Sequence, residues 1–322
     1  MAVYTKINDK DISIINKKFK LGRNIKFHGI KKGIENTNYL IKTEKKKFIL
    51  TIFEKRVNSA DLPFFMKLMD LLSLNKIVCP KPLKDNHGKY LFRIKNKNAC
   101  IVSFLSGKDK NKLTNQNCFE VGKNIAMMHK ATKNFKIKRS NSMGINKLNP
   151  LLNSIKFKKS KLILSYKDFL FNNLKDIKKN WPKNLPSGII HADLFVDNIF
   201  FKKNKFSGFI DFYFSANDYY AYELAICINA LCFDKKKSKF IINKQKINYL
   251  IKGYEKIQQI SKKEKDNLNI LCRGAAIRYL LTRAFDYINT PKTALIKIKD
   301  PREYYQKLVA HNKISSFKEY IH

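Results

Sequence analysis

His191-Ala192-Asp193-Leu194-Phe195-Val196-Asp197-Asn198 concentrates an imidazole, two carboxylates and a carboxamide among apolar residues, and Ile210-Asp211-Phe212 adds a further carboxylate downstream. Between the two runs, Asn198 to Phe201 and Phe206 to Phe212 read as strands joined by the polar turn Lys202 to Lys205. A hairpin of that kind returns Asp211 beside the loop. Asn198 and Asp211 then converge as hard oxygen donors of the type Mg²⁺ prefers, while Asp193 is left to meet a hydroxyl and accept its proton. Taken singly, His191, Asp193 and Asp197 read equally well as turn and capping residues ahead of a strand. The three polar groups at fixed offsets between apolar runs argue for a site.

The H-x-D-x-x-x-x-N spacing resembles that of a kinase catalytic loop, with Asp211 standing where the metal-binding Asp of the D-F-G motif stands. Residues on either side fit that reading. After a short helix near Asp11 to Phe19, strand-like runs occur at Ile25 to Ile30, Tyr39 to Thr43, Phe48 to Phe53, Tyr90 to Ile94 and Cys100 to Phe104. Leu62, Phe65, Met69 and Leu72 recur at helical spacing between the third and fourth. The order β-β-β-α-β-β predicts a small antiparallel sheet. Beyond it the pattern is helical, at Asn115 to Ala131, Lys161 to Lys179, Tyr219 to Phe233, Gln245 to Gln259, Lys262 to Tyr287 and Arg302 to Lys313, interrupted by the one hairpin. The expected fold class is α+β, a bilobed protein-kinase-like fold with a nucleotide-binding N-lobe over 1–105 and a mainly helical C-lobe over 106–322 that carries the loop and the substrate site.

Gly29 to Tyr39, with Gly33, Asn36, Thr37 and Asn38, lies between the first two strands, where a phosphate-covering loop belongs. Two glycines there also suit an ordinary turn. Val102-Ser103-Phe104-Leu105-Ser106-Gly107 ends the small lobe, and the backbone about Ser103 and Leu105 is the expected hinge for adenine as well as a plain strand exit.

Composition narrows the partners. The chain has 66 Lys+Arg against 25 Asp+Glu, a formal net charge of +41 over 322 residues, which ordinarily suggests nucleic acid or an anionic membrane. Only eight of those cations are arginine, the residue suited to bidentate phosphate and base recognition, and the lysines run from end to end alongside abundant Asn, Ile, Phe and Tyr. We read a solvated basic surface with no specific nucleic-acid partner. The longest apolar run, Tyr219 to Phe233, contains Glu223 and Asn229 and is shorter than the roughly 18 residues of a membrane span. No secretory signal is seen in Met1 to Lys20, and Cys79, Cys100, Cys118, Cys227, Cys232 and Cys272 are scattered without a C-x-x-C pair. A soluble cytoplasmic protein with reduced core thiols and no membrane partner is expected.

The segment from His191 to Phe233, HADLFVDNIFFKKNKFSGFIDFYFSANDYYAYELAICINALCF, closely resembles the matching region of the homoserine kinases, within the aminoglycoside-phosphotransferase-like kinases. GIENTNYLI from Gly33, FILTIFEKR from Phe48, ADLPFFMKLMDLLS from Ala60, VGKNIAMMHKAT from Val121 and RGAAIRYLLTRAFDY from Arg273 extend the resemblance over nearly the whole chain. It implies ATP and Mg²⁺ as cofactors, Asp193 with His191 as the catalytic residues, and Asn198 with Asp211 on the metal. It also implies L-homoserine as the small-molecule substrate and O-phospho-L-homoserine as the product, a step towards threonine. The loop alone specifies only the broad family, whose members phosphorylate choline, methylthioribose, aminoglycosides and other small alcohols; the remaining alternative is a catalytically silent, basic kinase-like binding protein.

One departure from the broad kinase pattern stands out. Thr51 occupies the third-strand position where protein kinases carry a phosphate-binding lysine, and the following helix offers Asp61 and Asp70 in place of a clear Glu. Lys55 and Arg56 are candidate phosphate cations or solvent-facing charges. Homoserine presents a carboxylate, for which Arg278 or Arg283 is a candidate clamp, although five residues along a helix turn about 140° and the two need not share a face. Asp218 and Glu223 read as anchors of the loop or caps of the next helix, and His129 as a packed helix terminus.

Overall fold

The computed structural model describes residues 3–30, 36–54, 57–290 and 298–321. Two compact units are present: Met1–Gly107 with Ser207–Tyr213, and Lys108–Phe206 with Phe214–His322.

In the first unit, helix α1 (Asp9–Phe19) starts on a capping box, in which Asn8 and Asp11 each take the other's backbone N–H, and ends where Lys20 turns left-handed. A five-stranded antiparallel sheet follows, from β1 (Lys26–Gly29), β2 (Thr37–Lys42), β3 (Lys47–Ile52), β4 (Leu91–Ile94) and β5 (Lys97–Ser103), in the order β1-β2-β3-β5-β4. Helix α2 (Leu62–Leu74) connects β3 to β4. The expected β-β-β-α-β-β order is what forms.

Alternation along these strands produces two different faces. Tyr39, Ile41, Leu50, Ile52, Ala99 and Ile101 pack with Ile12, Ile15 and Phe19 of α1 in one core. Full burial of each large aliphatic contributes about 1.5–3 kcal/mol, so this face holds α1 in place. Asn38, Thr51 and Cys100 point the other way. The register sets Asn38 opposite Thr51 and Thr51 opposite Cys100, so the three form one row across β2, β3 and β5.

The second unit is mainly helical: α3 (Asn115–Ala131), α4 (Leu148–Ser154), α5 (Lys161–Leu164), α6 (Lys167–Lys179), α7 (Tyr220–Leu231), α8 (Lys244–Glu255), α9 (Lys262–Asp266), α10 (Leu268–Asn289), α11 (Arg302–His311) and α12 (Lys318–Ile321). Helix α7 is apolar nearly all round and lies at the centre of the unit. Strands β6 (Ser187–Ile190) and β9 (Ala216–Tyr219) pair antiparallel and bracket the loop and hairpin, whose strands are β7 (Ile199–Lys202) and β8 (Lys205–Phe209).

Several local expectations need correction. Lys161 to Lys179 is two helices, broken at Ser165 and Tyr166, and Lys262 to Tyr287 divides at Asn267. A second hairpin, β10 (Phe233–Lys236) with β11 (Lys239–Ile242), forms around left-handed Lys237, in a stretch too polar and too short to show alternation. The expected strand Phe206 to Phe212 stops at Phe209, because Asp211 adopts φ +64° and a 3-10 turn follows over Phe212–Phe214. All six cysteines are free and buried, and no helix among the described residues is long and apolar enough to cross a membrane.

Candidate active site

The loop in the second unit is held from below by a carboxylate. Glu223 is the only charged residue of α7 and is fully buried, so it must be paired within the protein. It accepts the backbone N–H of His191, and that of Ala192 at 3.1 Å. Charge-assisted bonds to backbone amides rank among the stronger hydrogen bonds. They hold a turn in which Ala192 sits at φ +65°, a conformation L-residues rarely adopt. Of the two sequence readings of Glu223, loop anchor or helix cap, the geometry selects the anchor.

His129 lies beneath that carboxylate. Its Nε2 is 4.0 Å from Glu223, its ring stacks on Tyr220 at 4.4 Å, and its Nδ1 meets the Tyr254 hydroxyl at 2.9 Å. Burial lowers the His129 pKa despite the opposing pull of Glu223, which leaves a neutral, packed imidazole. His191 is likewise fully buried and touches Glu223 through its backbone amide.

Above the anchor, Asp193 is half-buried, and its carboxylate accepts Asn198 Nδ2 at 3.2 Å and the Tyr279 hydroxyl at 3.4 Å. Asn198 Nδ2 also donates to the Asp193 carbonyl at 2.8 Å. With the amide nitrogen turned to Asp193, the Asn198 carbonyl oxygen is the group left to act as a hard ligand, which fits a magnesium site.

Helix α10 brings Arg278 to the same loop. Its guanidinium donates to the Ala192 carbonyl at 3.0 Å and lies 4.8 Å from the Tyr279 ring centre, with only 2% of the residue exposed. Arg283 faces elsewhere, donating to Glu303 at 2.8 Å and to the Asp300 carbonyl at 3.0 Å. The two arginines therefore serve different neighbours, as their angular separation on a helix allows. Asp218 accepts Asn141 Nδ2 at 2.7 Å and the Tyr219 N–H at 2.8 Å, and burial raises its pKa.

Asp211 belongs to the first unit, where it is exposed. The segment bearing it is fastened at both ends. At its start, Ser207 donates to the Ser106 carbonyl, and Phe209 N–H donates to the Val78 carbonyl at 3.2 Å. Gly208 at φ +125° runs so close to Val78 that a Cβ would lie 2.5 Å from its carbonyl oxygen, so only glycine fits. At its end, the Tyr213 hydroxyl lies 3.7 Å from Cys100 Sγ and its ring packs edge-on against Phe53 and Phe65, while Thr51 donates to Asn38 at 2.8 Å. Burial pushes the Tyr213 phenol well up, so it carries its proton.

The remaining candidates in this unit have partners of their own. Thr37 is fully buried and donates to Glu54 at 2.7 Å, Asn36 accepts the Glu54 N–H at 3.4 Å, and the Ser103 hydroxyl accepts Lys81 N–H at 2.9 Å. Leu105 is half-buried beside Gly208. Glu54 also pairs with Lys97, at the start of β5. Burial opposes ionisation of Glu54, but Lys97, Thr37 and Thr5 together hold its carboxyl below the usual range. Gly33, Lys55 and Arg56 lie outside the described residues.

Sequence reasoning does not single out two tyrosines of this geometry. Tyr279 adjoins Arg278 and Tyr213 follows Phe212, but neither belongs to a spaced motif. The signal that could find them is polar chemistry within apolar surroundings, since a buried phenol requires a partner.

A profile of the "Phosphotransferase enzyme family" matches residues 26–257. The homoserine kinase of Paramagnetospirillum magneticum is 39% identical over 326 residues, covering 99% of each chain. That of Rhizobium meliloti is 41% identical over 320 residues, covering 99% of this chain and 97% of its own. Among solved structures, an amicoumacin kinase in complex with AMP-PNP, Ca²⁺ and Ami shares the fold, with a TM-score of 0.70 at 16% identity over 96% of this chain and 95% of that one.

Proposed function

Since this chain belongs to the phosphotransferase enzyme family, we propose that it transfers the γ-phosphoryl group of ATP to the hydroxyl of L-homoserine, forming O-phospho-L-homoserine. The observation that carries the chemistry is Asp193, whose carboxylate is oriented by Asn198 and Tyr279 on a turn pinned by Glu223. The names of the full-length relatives carry the acceptor.

Asp193 accepts the proton of the acceptor hydroxyl as that oxygen attacks phosphorus, and it directs the oxygen in line with the departing ADP. Asn198 and Asp211 supply oxygen ligands to Mg²⁺, which when bound offsets the charge of the phosphate oxygens. His191 completes the catalytic loop through its backbone. The first unit takes the nucleotide, with adenine at the backbone about Ser103 and Leu105 and the phosphates towards the segment from Gly33 through Asn36, Thr37 and Asn38, Thr51, and Lys55 and Arg56. Of the two arginines, Arg278 stands beside the base and is the one we assign to the acceptor's carboxylate, while Arg283 is engaged by Glu303.

A panel of alcohols assayed by ADP release tests the acceptor. L-homoserine should give the highest kcat/KM; turnover of choline, methylthioribose or an aminoglycoside without turnover of homoserine would remove the acceptor assignment and leave the phosphotransferase. Asp211→Asn should lose most activity while staying folded, because it removes the one carboxylate assigned to the metal. A magnesium titration at which folded Asp211→Asn turns over like the unsubstituted enzyme would take that role from it.

A further inference from the structure

At one end of the five-stranded sheet, four segments far apart in the chain meet on a single carboxylate. Glu54 follows β3, Thr37 opens β2 and Lys97 opens β5, and alternation turns Thr37 and Lys97 to the face that packs against α1. The Thr37 hydroxyl donates to Glu54 at 2.7 Å, and that of Thr5 donates to the same oxygen at 2.8 Å. Lys97 pairs with the other oxygen and also donates to Thr5 Oγ1 at 2.7 Å. Because the Thr37 proton is committed to Glu54, its oxygen is left as an acceptor, and it takes the N–H groups of Tyr4 and Thr5 at 2.9 Å and 3.1 Å. The amino-terminal segment is tied twice more, by Ile7 N–H to the Tyr39 hydroxyl at 3.2 Å and by that hydroxyl to the Thr5 carbonyl at 3.0 Å. Val3 runs so close to Gly29 that a Cβ there would lie 2.6 Å from its methyl group. The segment therefore grips the last residue of β1 and the first of β2.

We propose that Glu54 is a positioning residue for the nucleotide: through Thr37 it fixes where the connection between β1 and β2 rejoins the sheet, and so how the phosphates are received. The inference rests on the first unit taking the nucleotide with its phosphates at that connection. Thr37 is fully buried and its hydroxyl is engaged, so it serves the phosphates by the placement of its backbone. Asn38, next in the chain, faces the other side of the sheet and accepts from Thr51 at 2.8 Å, so a rotation of β2 at Thr37 moves it too. Only 10% of the Glu54 side chain is exposed, and Lys97, Thr37 and Thr5 keep it ionised there. An apolar side chain would pack the same strand ends without the cost of burying a charge. What the carboxylate adds is direction. Two hydroxyls on one oxygen and a cation on the other admit a single arrangement of β2, β5 and the amino-terminal segment.

The test compares Glu54→Ala, Glu54→Gln, Thr37→Val and the Glu54→Ala/Thr37→Val double variant with Ile15→Val, which thins the α1 core of the same unit away from these hydrogen bonds. Binding of AMP-PNP and of adenosine to the full chain is measured by calorimetry, alongside KM for ATP and for L-homoserine. Small displacements away from the chemistry can cost about 10²-fold, and we expect about 10-fold weaker AMP-PNP binding for Glu54→Ala and for Thr37→Val. Adenosine binding and the KM for L-homoserine should be unchanged. Glu54→Gln, which keeps an oxygen for the two hydroxyls but turns an amide to Lys97, should fall between. The double variant should be little worse than either single, because both break the same link. Ile15→Val should lower the melting temperature and leave AMP-PNP affinity intact. If Glu54→Ala does the same, the cluster is structural only and the proposal fails. It fails equally if adenosine binding weakens as much as AMP-PNP binding, or if the two single effects multiply in the double variant. Should Glu54→Ala not fold, Glu54→Gln and Thr37→Val decide. Amide exchange of the unsubstituted chain tests the premise: if AMP-PNP protects no amide of the first unit, the nucleotide binds elsewhere and that reading fails, an outcome separate from intact AMP-PNP affinity in the Glu54 variants.

Discussion

Asp193→Asn should lower turnover on L-homoserine by about 10²–10⁴-fold, the usual contribution of a positioned general base, and leave nucleotide affinity close to its starting value. The substitution preserves size. It also preserves one of the two oxygens that accept from Asn198 at 3.2 Å and Tyr279 at 3.4 Å. The other oxygen becomes an NH₂ facing a donor, and a donor left without an acceptor costs about 1–3 kcal/mol where it is buried. Part of that loss should appear as a modest drop in melting temperature. Single-turnover kinetics separate the effects, because a destabilised but competent enzyme transfers phosphate at the normal rate once folded. Full single-turnover rate in folded Asp193→Asn would show that another group takes the proton.

The second large effect is expected at a residue that touches no substrate. Glu223→Ala removes the acceptor of two buried backbone N–H groups, those of His191 and Ala192. Bonds to a charged acceptor are worth about 1.5–3 kcal/mol each, so a destabilisation of about 3 kcal/mol or more is expected in chemical denaturation. Catalysis should fall as well, even where the variant remains folded. Ala192 is held at φ +65°, and without its anchor the backbone is released towards ordinary conformations, taking the adjacent Asp193 with it. Glu223→Gln keeps one carbonyl acceptor and should fall between the two. A Glu223→Ala protein with an unshifted denaturation midpoint and unshifted kcat would show that the loop holds its shape without the carboxylate.

Both experiments probe a site whose parts are unequally visible in the sequence. The H-x-D-x-x-x-x-N spacing, the strand order and the single acid of α7 are local patterns that periodicity and composition expose directly. Helix α1 is legible to within two residues of its start, and the Asn8–Asp11 capping box that fixes that start is seen in the structure. The paired four-residue strands β6 and β9 are not, because each is too short to carry a signal and neither is a strand without the other. The family resemblance reaches further than the residue patterns do, since it supplies the acceptor, which no spacing in this chain encodes.

What the sequence by itself determined was therefore the set of chemical groups and their order: the carboxylate of Asp193 proposed as base, the Asn198 and Asp211 oxygens proposed as metal ligands, Thr51 on the third strand, and a charge at Glu223 that had to be buried among apolar neighbours. Only the tertiary structure decided who holds whom. Glu223 reaches an amide 32 positions away, Thr51 meets Asn38 across 13, and Ser207–Tyr213 returns to the unit built by the first 107 residues. Local pattern reports which side of an element is apolar, because that depends on the helix or strand period alone. Strand register, helix rotation and the partner of a buried polar group are settled by packing among distant segments, where the cost of an unsatisfied donor selects one arrangement from many that the same pattern permits.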